Sequence, residues 1–266
     1  MILENYQFNY SWQGNKNKPV ILFLHGFMGD RFDFEQVISL LSSSFSFLTV
    51  DLPGHGKTKI FGSEEYYTMS KTAQALIELL QKNQIARCFL VGYSLGGRLA
   101  LYLTIYFPNY FEKVVLESAS PGLIAEKERH LRLKKDCQLA AKLETNDFEA
   151  FLNQWYSNSL FNSFKKHRDF NQAIQKRLKN NPQELAKSLR NLSTGLQPSL
   201  WQQLKFNKIP LLFVVGELDQ KFVLINTQMS KLCPNSQLKI IKNSGHNIHF
   251  ENPVEYSKVI KNFLFK

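Results

Sequence analysis

Short apolar runs recur along the chain at residues 19–24, 45–51, 88–91, 113–117, 209–215 and 237–241, each rich in Val, Ile, Leu or Phe. Such runs predict buried strands. Between them lie stretches with helical spacing. Residues 70–82 put Ala73, Leu76, Ile77 and Leu80 on one face, residues 97–103 repeat the pattern, and a last helix is expected over 253–265. Strands alternating with helices predict a mostly parallel sheet with helices on both faces. The rhythm changes from residue 120 to 197, which reads as polar helices without a strand. We expect 120–197 to be a helical cap inserted into an α/β core of residues 1–119 and 198–266. It should stand over the strand ends, where ligands bind in such sheets.

The punctuation between these elements carries the candidate chemistry. Gly92-Tyr93-Ser94-Leu95-Gly96 stands between the run 88–91 and a helix. By itself Gly-x-Ser-x-Gly can be a flexible turn, but in that setting it is the nucleophile elbow of an α/β-hydrolase. The turn is too tight for side chains at its glycines, and it strains Ser94 so that the hydroxyl stands clear of the sheet. His25-Gly26-Phe27 follows the first apolar run, where a loop N–H can face the elbow. The Phe27 and Leu95 N–H groups are therefore the expected oxyanion donors. Asp219 and His246 follow the last two runs, giving the order Ser…Asp…His. A serine hydroxyl needs an imidazole to take its proton, and the imidazole needs a carboxylate to fix its tautomer. Glu217 and Glu117 are alternative acids, and His249 is an alternative base. Asp219 is preferred because it lies past the strand tip, and His246 because Gly245 precedes it. His55, set between Pro53-Gly54 and Gly56, reads as a histidine that braces its loop.

Composition narrows the setting. A chain of 266 residues with 44% hydrophobic residues and 22 Phe can bury a substantial core. Cys88, Cys137 and Cys233 are odd in number and lack metal-ligand spacing, so we expect a reducing cytoplasm and no metal. Met1-Ile2-Leu3-Glu4-Asn5 lacks the basic and apolar regions of a secretory leader, and no run is long enough to span a membrane. The net charge of +11 admits nucleic acid, anionic lipid or an anionic small substrate as a partner. No polybasic tail or nucleic-acid motif appears, so no nucleic-acid partner is expected and most of the charge reads as solvated surface. Oligomeric state is not legible.

Five stretches can be weighed together: Leu24-His25-Gly26-Phe27, Asp51-Leu52-Pro53-Gly54-His55-Gly56, the elbow through Gly97-Arg98, Gly216-Glu217-Leu218-Asp219-Gln220-Lys221-Phe222, and Gly245-His246-Asn247-Ile248-His249-Phe250-Glu251-Asn252-Pro253. Nearly end to end, the chain resembles the MenH family, the 2-succinyl-6-hydroxy-2,4-cyclohexadiene-1-carboxylate synthases of menaquinone and phylloquinone biosynthesis. The core stretches fit many α/β-hydrolases; Tyr93 with Arg98, and the His-Asn-x-His block, narrow the resemblance. It implies a lyase without cofactor that releases pyruvate from an enolpyruvyl cyclohexene by 2,5-elimination. Ser94, relayed through His246 to Asp219, would act as general base and form no acyl-enzyme. A substrate with several carboxylates would call on Arg98, one turn after Ser94, and by family spacing on Arg132, Arg177 and Trp155 in the cap. Tyr93 either offers its hydroxyl or only packs. Plain structural roles remain open for all of these, and Arg129 competes with Arg132. The competing functions are a serine hydrolase acting through an acyl-enzyme and, less in keeping with the triad, a non-enzymatic receptor.

Overall fold

A computed structural model describes residues 3–15 and 17–265; Met1 and Ile2 of the stretch read for a leader lie outside them. The described strands are β1 (Tyr6–Gln7), β2 (Tyr10–Gln13), β3 (Val20–Leu24), β4 (Ser46–Val50), β5 (Lys59–Ile60), β6 (Cys88–Tyr93), β7 (Phe111–Glu117), β8 (Leu211–Gly216) and β9 (Ser236–Ile241). Seven of them form one sheet in the order β2-β4-β3-β6-β7-β8-β9. Every pairing in it is parallel except the edge pair β2–β4. β1 and β5 pair separately.

The helices are α1 (Glu35–Leu41), α2 (Met69–Lys82), α3 (Leu95–Tyr106), α4 (Glu126–Thr145), α5 (Phe148–Tyr156), α6 (Asn162–Lys165), α7 (Phe170–Arg177), α8 (Pro182–Asn191), α9 (Gln220–Leu232), α10 (Ile248–Glu251) and α11 (Pro253–Phe265). Successive strand residues feed opposite faces, as the pleat requires. Leu22, Leu24, Leu90 and Leu116 pack with Leu76, Leu99 and Met229 of α2, α3 and α9. Ile21, Phe23, Val91 and Val115 pack with Val37, Ile38 and Ile260 of α1 and α11. The α/β arrangement read from the apolar runs is therefore present, with both faces covered.

No strand occurs between β7 and β8 among the described residues; α4–α8 fill that interval. Local chemistry sets several of these helices. Asp147 accepts from the Ala150 N–H at the start of α5, and Asn181 accepts from Gln183 and Glu184 where Pro182 opens α8. These helices share a cluster of their own around Phe151, Leu152, Phe164 and Leu185, which also takes in Met28 from the loop after β3. The parallel strands end together at one edge, so the loops after β3, β6, β7 and β8 converge there.

Candidate active site

The turn from β6 into α3 holds Ser94 at φ +51°, a left-handed value that strains a residue with a side chain. Two bonds impose it. The Ser94 N–H donates to the Glu117 carbonyl at 2.9 Å, and the Gly96 N–H donates to the His25 carbonyl at 3.1 Å. A Cβ on Gly96 would stand 2.2 Å from the Leu24 carbonyl oxygen, so only glycine lets α3 begin this close to β3. Ser94 lines a cavity of about 1160 Å³.

The Ser94 Oγ lies 3.1 Å from His246 Nε2, and His246 Nδ1 lies 2.6 Å from Asp219 Oδ2. An ionised carboxylate only accepts, so Nδ1 carries the proton and Nε2 is left to accept from the serine hydroxyl. Asp219 also caps α9, taking the Phe222 N–H at 3.3 Å. A Cβ on Gly216 would come within 2.1 Å of the Gly245 carbonyl oxygen. That bare approach of β8 to the 242–247 loop lets Asp219 reach His246. The Ser118 hydroxyl donates to the His246 carbonyl at 3.0 Å, and the rings of Tyr93, Phe161 and Phe222 pack around the imidazole. Phe27 and Leu95 line the same cavity, and neither N–H donates to a protein acceptor among the described residues.

The arginines differ in what holds them. Arg98 donates to Gln197 Oε1 at 3.1 Å and to the Leu192 carbonyl at 2.8 Å, both neutral acceptors. Burial, and then Arg132, push its pKa down to about 10. Arg132 gives only its Nε to the protein, 2.9 Å from both Asp136 oxygens, and its terminal amino groups bond to no described protein atom. Arg177 also lines the cavity, but its Nη1 is committed to Asp33 at 2.6 Å in a buried pair. Burial works against both charges; each nonetheless holds the other ionised, with the Arg177 pKa raised and that of Asp33 lowered. Trp155 lines the cavity with its ring 5.2 Å from that of Phe27. The Tyr93 hydroxyl is spent on Asn247.

The rival residues are accounted for. Glu117 and His249 pair with each other, 2.8 Å from Oε1 to Nδ1, both fully inside the protein. Glu217 accepts from the Asn243 N–H at 3.1 Å. His55 is buried, with Nδ1 3.0 Å from the Pro53 carbonyl. Arg129 does not line the cavity. Sequence reasoning missed Asp33, Asp136, Gln197, Asn247, Lys135 and Lys221. Asn247 and Lys221 stood inside the quoted motifs, and Asp136 is four residues after Arg132, a legible helix pair. Nothing local marked Asp33 or Gln197, whose partners come from distant segments.

Residues 19–253 match the family model described as the alpha/beta hydrolase fold. A 2-succinyl-6-hydroxy-2,4-cyclohexadiene-1-carboxylate synthase of Serratia proteamaculans (strain 568) is 33% identical over 254 residues, covering 95% of this chain and 95% of that protein. Its counterpart in Enterobacter sp. (strain 638) is 32% identical over 252 residues, covering 94% and 93%. The solved structure of MenH from S. aureus superposes with a TM-score of 0.90 at 35% identity, covering 98% of each chain. On these similarities the chain belongs to the MenH family of synthases within the α/β-hydrolase fold.

Proposed function

We infer that the chain eliminates pyruvate from 2-succinyl-5-enolpyruvyl-6-hydroxy-3-cyclohexene-1-carboxylate, leaving 2-succinyl-6-hydroxy-2,4-cyclohexadiene-1-carboxylate. The observation that carries this reading is the Ser94–His246–Asp219 relay facing a cavity in which the Arg98 guanidinium has only neutral acceptors. A cation without a carboxylate partner is costly unless the ligand brings the anion.

His246 Nε2 takes the Ser94 proton, and the alkoxide removes the ring proton beside the succinyl ketone. The C–H electron pair moves onto the ketone oxygen, where the Phe27 and Leu95 N–H groups receive it. Those electrons then return through the ring alkene and expel the enolpyruvyl group by breaking its C–O bond. The leaving enolate collects the proton from the imidazolium and becomes pyruvate. Asp219 holds the imidazole tautomer and stabilises its charged form. Residues 120–197 serve as the cap, bringing Arg132, Trp155 and Arg177 over a core of residues 1–119 and 198–266. Tyr93 packs the base and orients Asn247. Unpaired Cys88, Cys137 and Cys233 support a reducing, cytoplasmic setting.

The test is pyruvate release from the enolpyruvyl substrate by purified protein with no metal or cofactor added, abolished by Ser94→Ala with the fold intact. Absence of pyruvate together with turnover of p-nitrophenyl esters would move the site to acyl transfer.

A further inference from the structure

Two lysines at the mouth of the cavity have no part in the chemistry above. Lys221 stands in the first turn of α9, two residues after Asp219, and Lys135 lies on α4 three residues after Arg132, hence on the same side of that helix. Both line the cavity that holds Ser94. Neither ammonium belongs to an ion pair among the described residues, and that of Lys221 lies over the Phe222 ring, 5.6 Å away.

The carboxylates of this cavity offset them only in part. Asp219 is bound to His246, and Asp136 to Arg132 and the Ser193 hydroxyl. That leaves exposed Glu128, which makes no ion pair with Arg132, one turn along. Gathering three cations there has a cost. Burial, and then Arg132, lower the Lys221 pKa, with Asp219 acting the other way and Lys135 adding to the repulsion. Arg132 is meanwhile locked by its Nε, so its two terminal amino groups are fixed in place with no described protein acceptor. Pre-set donors beside unpaired ammonium groups are the chemistry that seats a carboxylate.

We propose that Lys135 of α4 and Lys221 of α9 extend the carboxylate site read for Arg132 into a subsite at the cavity mouth, and that this subsite, separate from Arg98, seats a second carboxylate of the polyanionic substrate. This rests on the lyase reading for the identity of the substrate. α4 belongs to the helical segment between β7 and β8 and α9 follows β8, so the bound anion bridges the two.

The test replaces both lysines, as Lys135→Gln and Lys221→Gln, singly and together, with two readouts. One is the kinetics of pyruvate release. The other is quenching of tryptophan fluorescence by tricarballylate, a tricarboxylate probe, with Trp155 and Trp201 in the cavity wall as reporters. Losing charge-assisted bonds should raise KM by about tenfold or more in the double variant, with the change carried by KM more than by kcat. Tricarballylate affinity should fall by a similar factor, and Lys221→Arg should keep most of it. Wild-type KM and wild-type tricarballylate affinity in the double variant would overturn the subsite. A wild-type protein that binds tricarballylate but releases no pyruvate would sink the lyase reading, and the binding measurement alone would then decide the subsite.

Discussion

At the scale of single residues, the carboxylate-binding role proposed for Arg98 sets function against stability. Its guanidinium has lost much of its water, and its bonds to Gln197 and Leu192 return no opposite charge. Replacing it with a neutral side chain frees two acceptors, at about 1–3 kcal/mol each if buried, but also removes a desolvated charge. These effects offset, so Arg98→Met should move the melting temperature by only a few degrees. The reaction should suffer far more, because the substrate loses a cation, which costs about 2–5 kcal/mol in kcat/KM. Arg98→Lys should recover only part of this, since a point charge cannot reach both acceptors and the ligand. Thermal melts run beside pyruvate kinetics check the contrast, and a large stability loss with kcat/KM unchanged would place Arg98 outside the site.

Between elements, the end of β7 organises both halves of the relay. Its Glu117 carbonyl receives the Ser94 N–H, Ser118 holds the His246 carbonyl, and the Glu117 carboxylate accepts the ring and backbone N–H of His249 on α10. Tyr93 wedges between the two imidazoles, 5.4 Å from His246 and 4.7 Å from His249. Glu117→Ala should therefore cost about 3–5 kcal/mol in urea unfolding, the toll of breaking a buried pair, and lower kcat by loosening His246. Glu117→Gln keeps an acceptor for His249 and should lose much less. Equal losses for the two variants would show that the bonding plays no part. The sequence made the apolar strands readable to within a few residues, because burial on both faces leaves no room for polar positions. It left Glu117 and His249 as rivals because which carboxylate meets which imidazole depends on how neighbouring strand ends stand in register, Glu117 beside Val214. Edge strand β2, half-buried and carrying Ser11 and Gln13, gave no apolar run, and exposed Leu224 blurs the periodicity of α9.

For the whole molecule, the joint between the helical segment and the rest of the chain carries buried polar groups beside its apolar contacts, and these make it sensitive to acid. Arg177 reaches across to Asp33, while Asn180 donates to the Met28 carbonyl at 3.0 Å and accepts from the Gly56 N–H at 2.9 Å. His55 lies in the same joint, its ring 5.0 Å from that of His25 and 5.5 Å from that of Phe27. Burial, and then the neighbouring His25, push the His55 pKa from its ordinary 6.5 down to about 3. The folded protein thus refuses a proton that the unfolded chain accepts, so stability is full above 6.5 and drains away as pH falls towards 3. Asp33, held low by Arg177, adds a loss in the same direction only under stronger acid, below the ordinary carboxylate value. Between pH 7 and about 4.5, His55 alone should remove about 2–3 kcal/mol of unfolding free energy. His55→Gln keeps a donor for the Pro53 carbonyl but cannot titrate, so its stability should decline less over that interval by the same amount. Urea unfolding of both proteins at the two pH values measures the difference, and parallel declines would mean that His55 is protonated inside the fold and that the joint draws its acid sensitivity from elsewhere.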